Sequence, residues 1–145
     1  NTFPVVRNFT KPVILTHMRL ILFFLILFTQ ICLAQISFST EYREYCDWND
    51  STQKFDNCRG YEESSLFTMN KAESMFTHTT DEVKSTYYIK SSEYDKQKEL
   101  WTYVVNSDVG NEYICVFDPK NKVIKFVLLE NKKATLLRFY IKSIF

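Results

Sequence analysis

A chain of 145 residues gives room for one domain, and its formal net charge of +1 conceals two blocks of opposite sign. Residues 35–118 carry 8 Lys and Arg against 16 Asp and Glu, whereas residues 119–145 carry 7 against 1; such blocks either neutralise each other within the fold or turn a basic end toward an anionic partner. Only two glycines occur, Gly60 and Gly110, which excludes the P-loop and the dinucleotide fingerprint, since both need several glycines at fixed spacing, and leaves no flexible linker.

Residues 1–17 contain no methionine and run into Met18, so they read as an upstream translated region that takes no part in the fold. Met18-Arg19 is followed by the apolar run Leu20 to Phe28 and then by Thr29-Gln30-Ile31-Cys32-Leu33-Ala34. A positive residue, a short apolar stretch and small residues at positions 32 and 34 are the parts of a signal peptide, expected to span 18–34 and to be cleaved before Gln35. A transmembrane anchor needs about 20 apolar residues, and Thr29 and Gln30 interrupt this run too early. Ile31 and Thr29 also stand where a lipid-attachment signal at Cys32 needs a small and an aliphatic residue. The expectation is an exported protein, periplasmic or extracellular, with one β domain over 35–145. That compartment permits disulfides. Of Cys46, Cys58 and Cys115, the pair Cys46–Cys58 is favoured because the two flank a polar stretch, while Cys115 sits among apolar neighbours as a buried thiol.

From residue 36 onward the prevailing period is two, the mark of strands with one buried face. Ile36, Phe38, Thr40 and Tyr42 alternate with polar residues in a first strand. The polar stretch Cys46 to Ser64 reads as a long loop. Two short strands, Ser65 to Asn70 and Ser74 to Thr79, flank a turn at Asn70-Lys71-Ala72, and Val83 to Ser91 alternates until the charged run Ser92 to Glu99 ends it. After Leu100 to Asn106 come three apolar runs separated by turn chemistry. Gly110 and Asn111 tolerate positive φ, and Asp118-Pro119-Lys120-Asn121-Lys122 places proline at the second turn position, with Asn121 suited to the left-handed region. A last turn falls at Glu130 to Lys133. In the final hairpin Ile124, Phe126 and Leu128 are expected to share a face with Leu137, Phe139 and Ile141, with Lys125, Arg138, Tyr140 and Lys142 opposite. The fold class is therefore all-β: an antiparallel meander of seven to eight strands, as a curled sheet or a half-open, lipocalin-like barrel. No lipocalin signature accompanies that architecture. An outer-membrane barrel is the rival for an exported β-chain ending in Phe145, but Lys84, Lys90, Lys125, Arg138 and Lys142 interrupt any lipid-facing band.

Candidate chemistry is sparse. The segment from Cys46 to Cys58 gathers Asp47, Asn49, Asp50 and Asp56 with Trp48 and Phe55; Asp47, Asn49 and Ser51 fall at EF-hand ligand positions, but Thr52 and Cys58 replace the required glycine and glutamate. Asn49-Asp50-Ser51 is a glycosylation sequon that acts only in a eukaryotic host. His78 is the sole histidine after residue 35, so no histidine-based zinc cluster can assemble, and a Cys115–His78 nucleophile pair lacks any group to lower the thiol pKa. Glu62-Glu63 and Asp81-Glu82 are neighbours on extended chain and should point to opposite sides.

Nine tyrosines, two tryptophans and eight phenylalanines follow residue 35, enough to pack a core and line a ligand cavity. The expected function is a non-catalytic binding or interaction domain of the cell envelope or extracellular space. Its partner would be a protein or a small apolar ligand, at Asp47, Trp48, Asp50, Asp56, Trp101 and Tyr103. No cofactor, nucleic-acid partner or stable membrane insertion is expected. The alternative is a small secreted hydrolase whose site assembles only in three dimensions. An apolar cavity at a barrel mouth would favour the first, and carboxylates or His78 converging in a cleft the second. The bias toward Lys, Asn, Ile, Phe and Tyr resembles coding in an AT-rich bacterial genome.

Overall fold

The computed structural model describes residues 35–130 and 133–145; the expected signal peptide at 18–34 and the region ahead of it lie outside the described residues. Eight strands follow in order: β1 (Ser37–Asn49), β2 (Lys54–Met69), β3 (Met75–Thr79), β4 (Lys84–Asp95), β5 (Leu100–Ser107), β6 (Glu112–Asp118), β7 (Val123–Glu130) and β8 (Lys133–Ile144). Each pairs antiparallel with its successor, and β8 returns to β1, so the meander is a closed barrel. The seam runs from Phe38↔Ile144 to Asp47↔Thr135, and two backbone hydrogen bonds between Ser37 and Phe145, 2.7 and 3.0 Å long, complete it. Closure removes the edges that a half-open sheet would expose there.

The strands differ from the sequence expectation in their polar parts. The stretch from Cys46 to Ser64 is not a long loop: β1 runs on to Asn49, β2 begins at Lys54, and Trp48↔Phe55 and Asn49↔Lys54 remain in register. β1 keeps its β8 neighbour as far as Asp47, whereas β2 from Lys54 to Ser65 pairs with β1 alone, because β3 pairs only with Leu66 to Met69. A ribbon with no core to bury needs no apolar alternation, so periodicity could not reveal it. Its register is held by the Cys46–Cys58 disulfide, with Cα atoms 4.1 Å apart, and by the Tyr42 ring lying over Gly60, where a Cβ would overlap it. Likewise the charged run Ser92 to Glu99 does not end β4, which pairs with β5 as far as Asp95↔Leu100. In the 119–122 turn the left-handed residue is Lys122, with φ 53°, and not Asn121. Asn121 is instead held by the Asp118 carboxylate through its backbone N–H at 3.0 Å and its amide at 2.8 Å. Gly110 takes the positive φ expected of it, 89°.

The last hairpin has the expected faces, with Ile124 opposite Phe139 and Phe126 opposite Leu137. Inward residues of β3, β6, β7 and β8 meet around Phe67 of β2, whose ring centroid lies 4.3 Å from that of His78, 5.0 Å from Phe139, 5.8 Å from Phe126, 6.2 Å from Phe117 and 6.4 Å from Phe76. Eight strands enclose just enough space for side chains to fill, and here aromatic rings fill the middle. Cys115 is a free thiol within this core, and burial pushes its pKa well above the usual thiol range. The two charge blocks meet along the seam. Glu41, Glu44 and Asp47 of β1 pair with Lys142, Arg138 and Lys133 of β8 at 3.3, 2.7 and 3.6 Å. Glu44 also accepts a hydrogen bond from the Tyr140 hydroxyl at 2.9 Å. Three acids of the acidic block thus face three bases of the basic block across the seam.

Candidate functional site: an aromatic mouth and a polar cleft

In an up-and-down barrel successive turns alternate between the two ends. The turns at 70–74, 96–99 and 119–122 therefore share one end with residues 35 and 36 and Phe145, here the lower end; the turns at 50–53, 80–83 and 108–111 share the upper. The ends differ in chemistry.

At the lower end the packing stops short of the rim and leaves a cavity of about 250 Å³. Its wall is a file of rings. Trp101 and Tyr103 alternate on β5 and lie parallel, 6.0 Å apart at 11°; Tyr103 meets Phe117 of β6 edge-on at 5.4 Å; Phe117 meets Phe38 of β1 at 5.4 Å. Tyr94 supports the outer side of Trp101 at 4.8 Å. Ile36, Met69, Pro119 and Ile144 complete the apolar lining, and Glu73 is the one charged residue among the nine that line it. Glu73 sits in a turn built by Asn70. The Asn70 side-chain oxygen accepts the N–H groups of Ser74 and Met75 at 2.9 and 3.1 Å, its amide donates to the Ser74 hydroxyl at 2.9 Å, and the Glu73 N–H donates to the Asn70 carbonyl at 3.0 Å. The turn therefore presents the carboxylate on a fixed backbone. Burial, and then the negative charge of Glu73, push the Tyr103 phenol up to about 12, so it stays a neutral hydrogen-bonding group at any physiological pH.

At the upper end the interior turns polar. Arg43 lies 4.8 Å over the Tyr61 ring and 3.2 Å from the Glu63 carboxylate. The Arg43 Nε, Glu63 Oε1 and His78 Nε2 atoms are buried without an aligned hydrogen-bond partner. His78 is stacked on Phe67 at 9°; burial, helped by Arg43, lowers its pKa to about 4, so it is neutral at pH 7. Beside this group an open cleft is lined by Glu62, Glu63, Asp81 and Glu82. The two adjacent pairs expected to point apart thus border one space, because the free upper part of β2 curls past the β3–β4 turn. They do not converge into a ligand set: among the described residues the one trio of metal-ligating types within 4.8 Å is Glu44 with Cys46 and Cys58. Both sulfurs of that trio are committed to the disulfide and Glu44 to Arg138.

The six residues singled out from sequence fall into two groups at opposite ends. Trp101 and Tyr103 line the mouth. Asp47, Trp48, Asp50 and Asp56 belong to the tip of the β1–β2 ribbon, where most of their polar atoms bond within the ribbon or to β8, and Asp56 Oδ1 is buried without a partner. The Trp48 indole donates to Asp50 at 2.9 Å, Asp56 accepts from Asn49 at 2.7 Å, Asp47 pairs with Lys133, and Asn49 Oδ1 caps the turn through the N–H groups of Ser51 and Thr52. Sequence reasoning missed Phe38, Met69, Glu73 and Phe117 as mouth residues. The signal that finds them is topological: once a closed meander is assumed, inward residues beside every second turn line one rim.

Compared with protein-family models, with curated proteins and with solved structures, the chain finds no match in any of the three.

Proposed function

We propose that this protein is an exported, non-catalytic binding domain that takes a small apolar ligand in the aromatic mouth of its barrel. The observation that carries the reading is the cavity itself: about 250 Å³, walled by Trp101, Tyr103, Phe117, Phe38 and Met69, at one end of a barrel whose middle is packed with aromatic rings. That volume exceeds the ~150 Å³ of an apolar cavity that holds benzene and falls below the ~300–1,000 Å³ of sites for drug-sized molecules. A single ring or a short alkyl chain fits it. A disulfide between Cys46 and Cys58 accords with an oxidising compartment. Ion pairs spread over the wall, such as Lys90–Glu112 and Lys142–Glu41, accord with a barrel surrounded by water and not by lipid. The basic residues of β8 already face acids of β1, which leaves little free charge for nucleic acid. A hydrolase would have to work in the upper cleft, where Glu62, Glu63, Asp81 and Glu82 stand with Ser64 and Thr80 around one open space and form no three-carboxylate cluster among the described residues.

The test is a titration of the Trp48→Phe variant with linear alcohols from butanol to octanol, read by the emission of Trp101. Each methylene buried in the mouth contributes about 0.8 kcal/mol, so affinity should rise about fourfold per carbon and then level off when the chain outgrows the cavity. A response that is not saturable, or one that grows without a length limit, contradicts the reading.

A further inference from the structure

The mouth is not a purely apolar pocket, and the arrangement of its one charge narrows the class of ligand. Four aromatic side chains, Trp101, Tyr103, Phe117 and Phe38, form a continuous wall with successive centroids 5.4 to 6.0 Å apart. Their mutual packing is mixed, parallel between Trp101 and Tyr103 and edge-on at the other two contacts, so the lining presents both ring faces and ring edges. Ring faces carry negative potential and attract cations, most strongly on tryptophan. The single acidic lining residue, Glu73, places a carboxylate at the rim. No cationic side chain is among the nine lining residues; on the lower turns Lys98 pairs with Asp95 at 3.5 Å and Lys120 with Glu99 at 2.7 Å, while Lys71, Lys96 and Lys122 are exposed to solvent.

Resting on the reading of the mouth as a ligand site, we infer that it selects organic cations, an alkylammonium whose carbon chain enters between Phe38, Met69 and Phe117 while its charged head lies against Trp101 and Tyr103 within reach of Glu73. An anionic head group meets the Glu73 carboxylate and the ring faces, both repulsive. A neutral head group gains neither attraction. Quaternary ammonium suits the site better than a primary amine, because it gives up less hydration on entering an apolar mouth and needs no hydrogen-bond acceptors beyond the rim.

Three probes of equal chain length separate this from the general reading: n-hexanol, hexyltrimethylammonium and hexanoate, titrated into the purified protein by calorimetry at low ionic strength. The ammonium should bind about tenfold or more tightly than hexanol, and hexanoate more weakly than either. Glu73→Gln should reduce the ratio of ammonium to hexanol affinity at least about threefold, and Trp101→Leu should reduce it as well, since ring and carboxylate contribute separately. If hexanol binds but the ammonium binds no more tightly, the inference is wrong and the apolar reading stands. If none of the three binds, the apolar reading itself has failed.

Discussion

The two ends of the barrel are built by the same eight strands, yet one ends in a ring-lined hollow and the other in buried ionic groups and a covalent clasp. At the lower end Phe38, Met69, Trp101 and Phe117 bring apolar surface up to the rim and leave it unfilled. At the upper end Arg43, Glu63 and His78 reach toward one another with incomplete hydrogen bonding, and the β1–β2 ribbon extends past the wall held by Cys46–Cys58. The contrast teaches where each end draws its stability. The lower end relies on tertiary packing of rings, whose gaps can accept a ligand; the upper relies on cross-strand pairing, the disulfide and ion pairs, and leaves several buried polar atoms without a partner.

The largest effect is expected where the two ends join. Phe67 touches rings belonging to both, and Phe67→Ala should cost about 3–5 kcal/mol, read as a lowered urea midpoint; a loss under about 1 kcal/mol would show that the interior is not packed around this ring. Replacing both Cys46 and Cys58 with serine should cost about 2–3 kcal/mol in the same assay. It should do so without altering alcohol binding at the mouth, because the clasp lies at the other end.

His78 sharpens the contrast through pH. Its folded pKa is about 4, against 6.5 for the free side chain. As pH falls below 6.5 the unfolded chain binds a proton that the folded chain refuses, so this group's contribution is fully present above pH 6.5, declines from there to pH 4, and is lost below. His78→Phe keeps a ring against Phe67 and Phe139 but removes the titration. Its stability should therefore fall about 1–3 kcal/mol less than that of the parent between pH 7 and pH 4, by denaturation at each pH. Identical pH profiles would place His78 in water. The smallest effect belongs to the seam: Glu44→Gln, which weakens a half-buried contact with Arg138 and Tyr140, should cost about 1 kcal/mol in thermal unfolding.

Much of the fold is legible in the chain because most strands bury one face, and alternation such as Ile124, Phe126 and Leu137, Phe139, Ile141 is what burial of one face produces. The free part of the ribbon, Trp48 to Ser64, and the outer part of β4 were illegible for the same reason: each has a neighbouring strand on one side only, so little selects an apolar face. The charge asymmetry between the start and end of the domain was visible, but its meaning required knowing that β8 lies beside β1. Of the site, Trp101 and Tyr103 are among the binding residues expected from sequence, and the acids around Trp48 drew attention by density alone, although they bond mostly within the ribbon and to Lys133. Glu73 carried no signal, since a glutamate in a polar turn becomes a rim charge only when closure brings that turn beside β5 and β6.

The chain offers a direct comparison of its two ends, because it places one tryptophan at each. Two-dimensional NMR resolves the indole N–H signals of Trp101, at the mouth, and Trp48, bonded to Asp50 on the ribbon. During titration with n-hexanol the Trp101 signal should shift saturably, together with amides of Phe38, Met69 and Phe117, while the Trp48 signal stays in place. Equal movement of both indoles, or movement of Trp48 alone, would contradict a ligand site confined to the aromatic mouth.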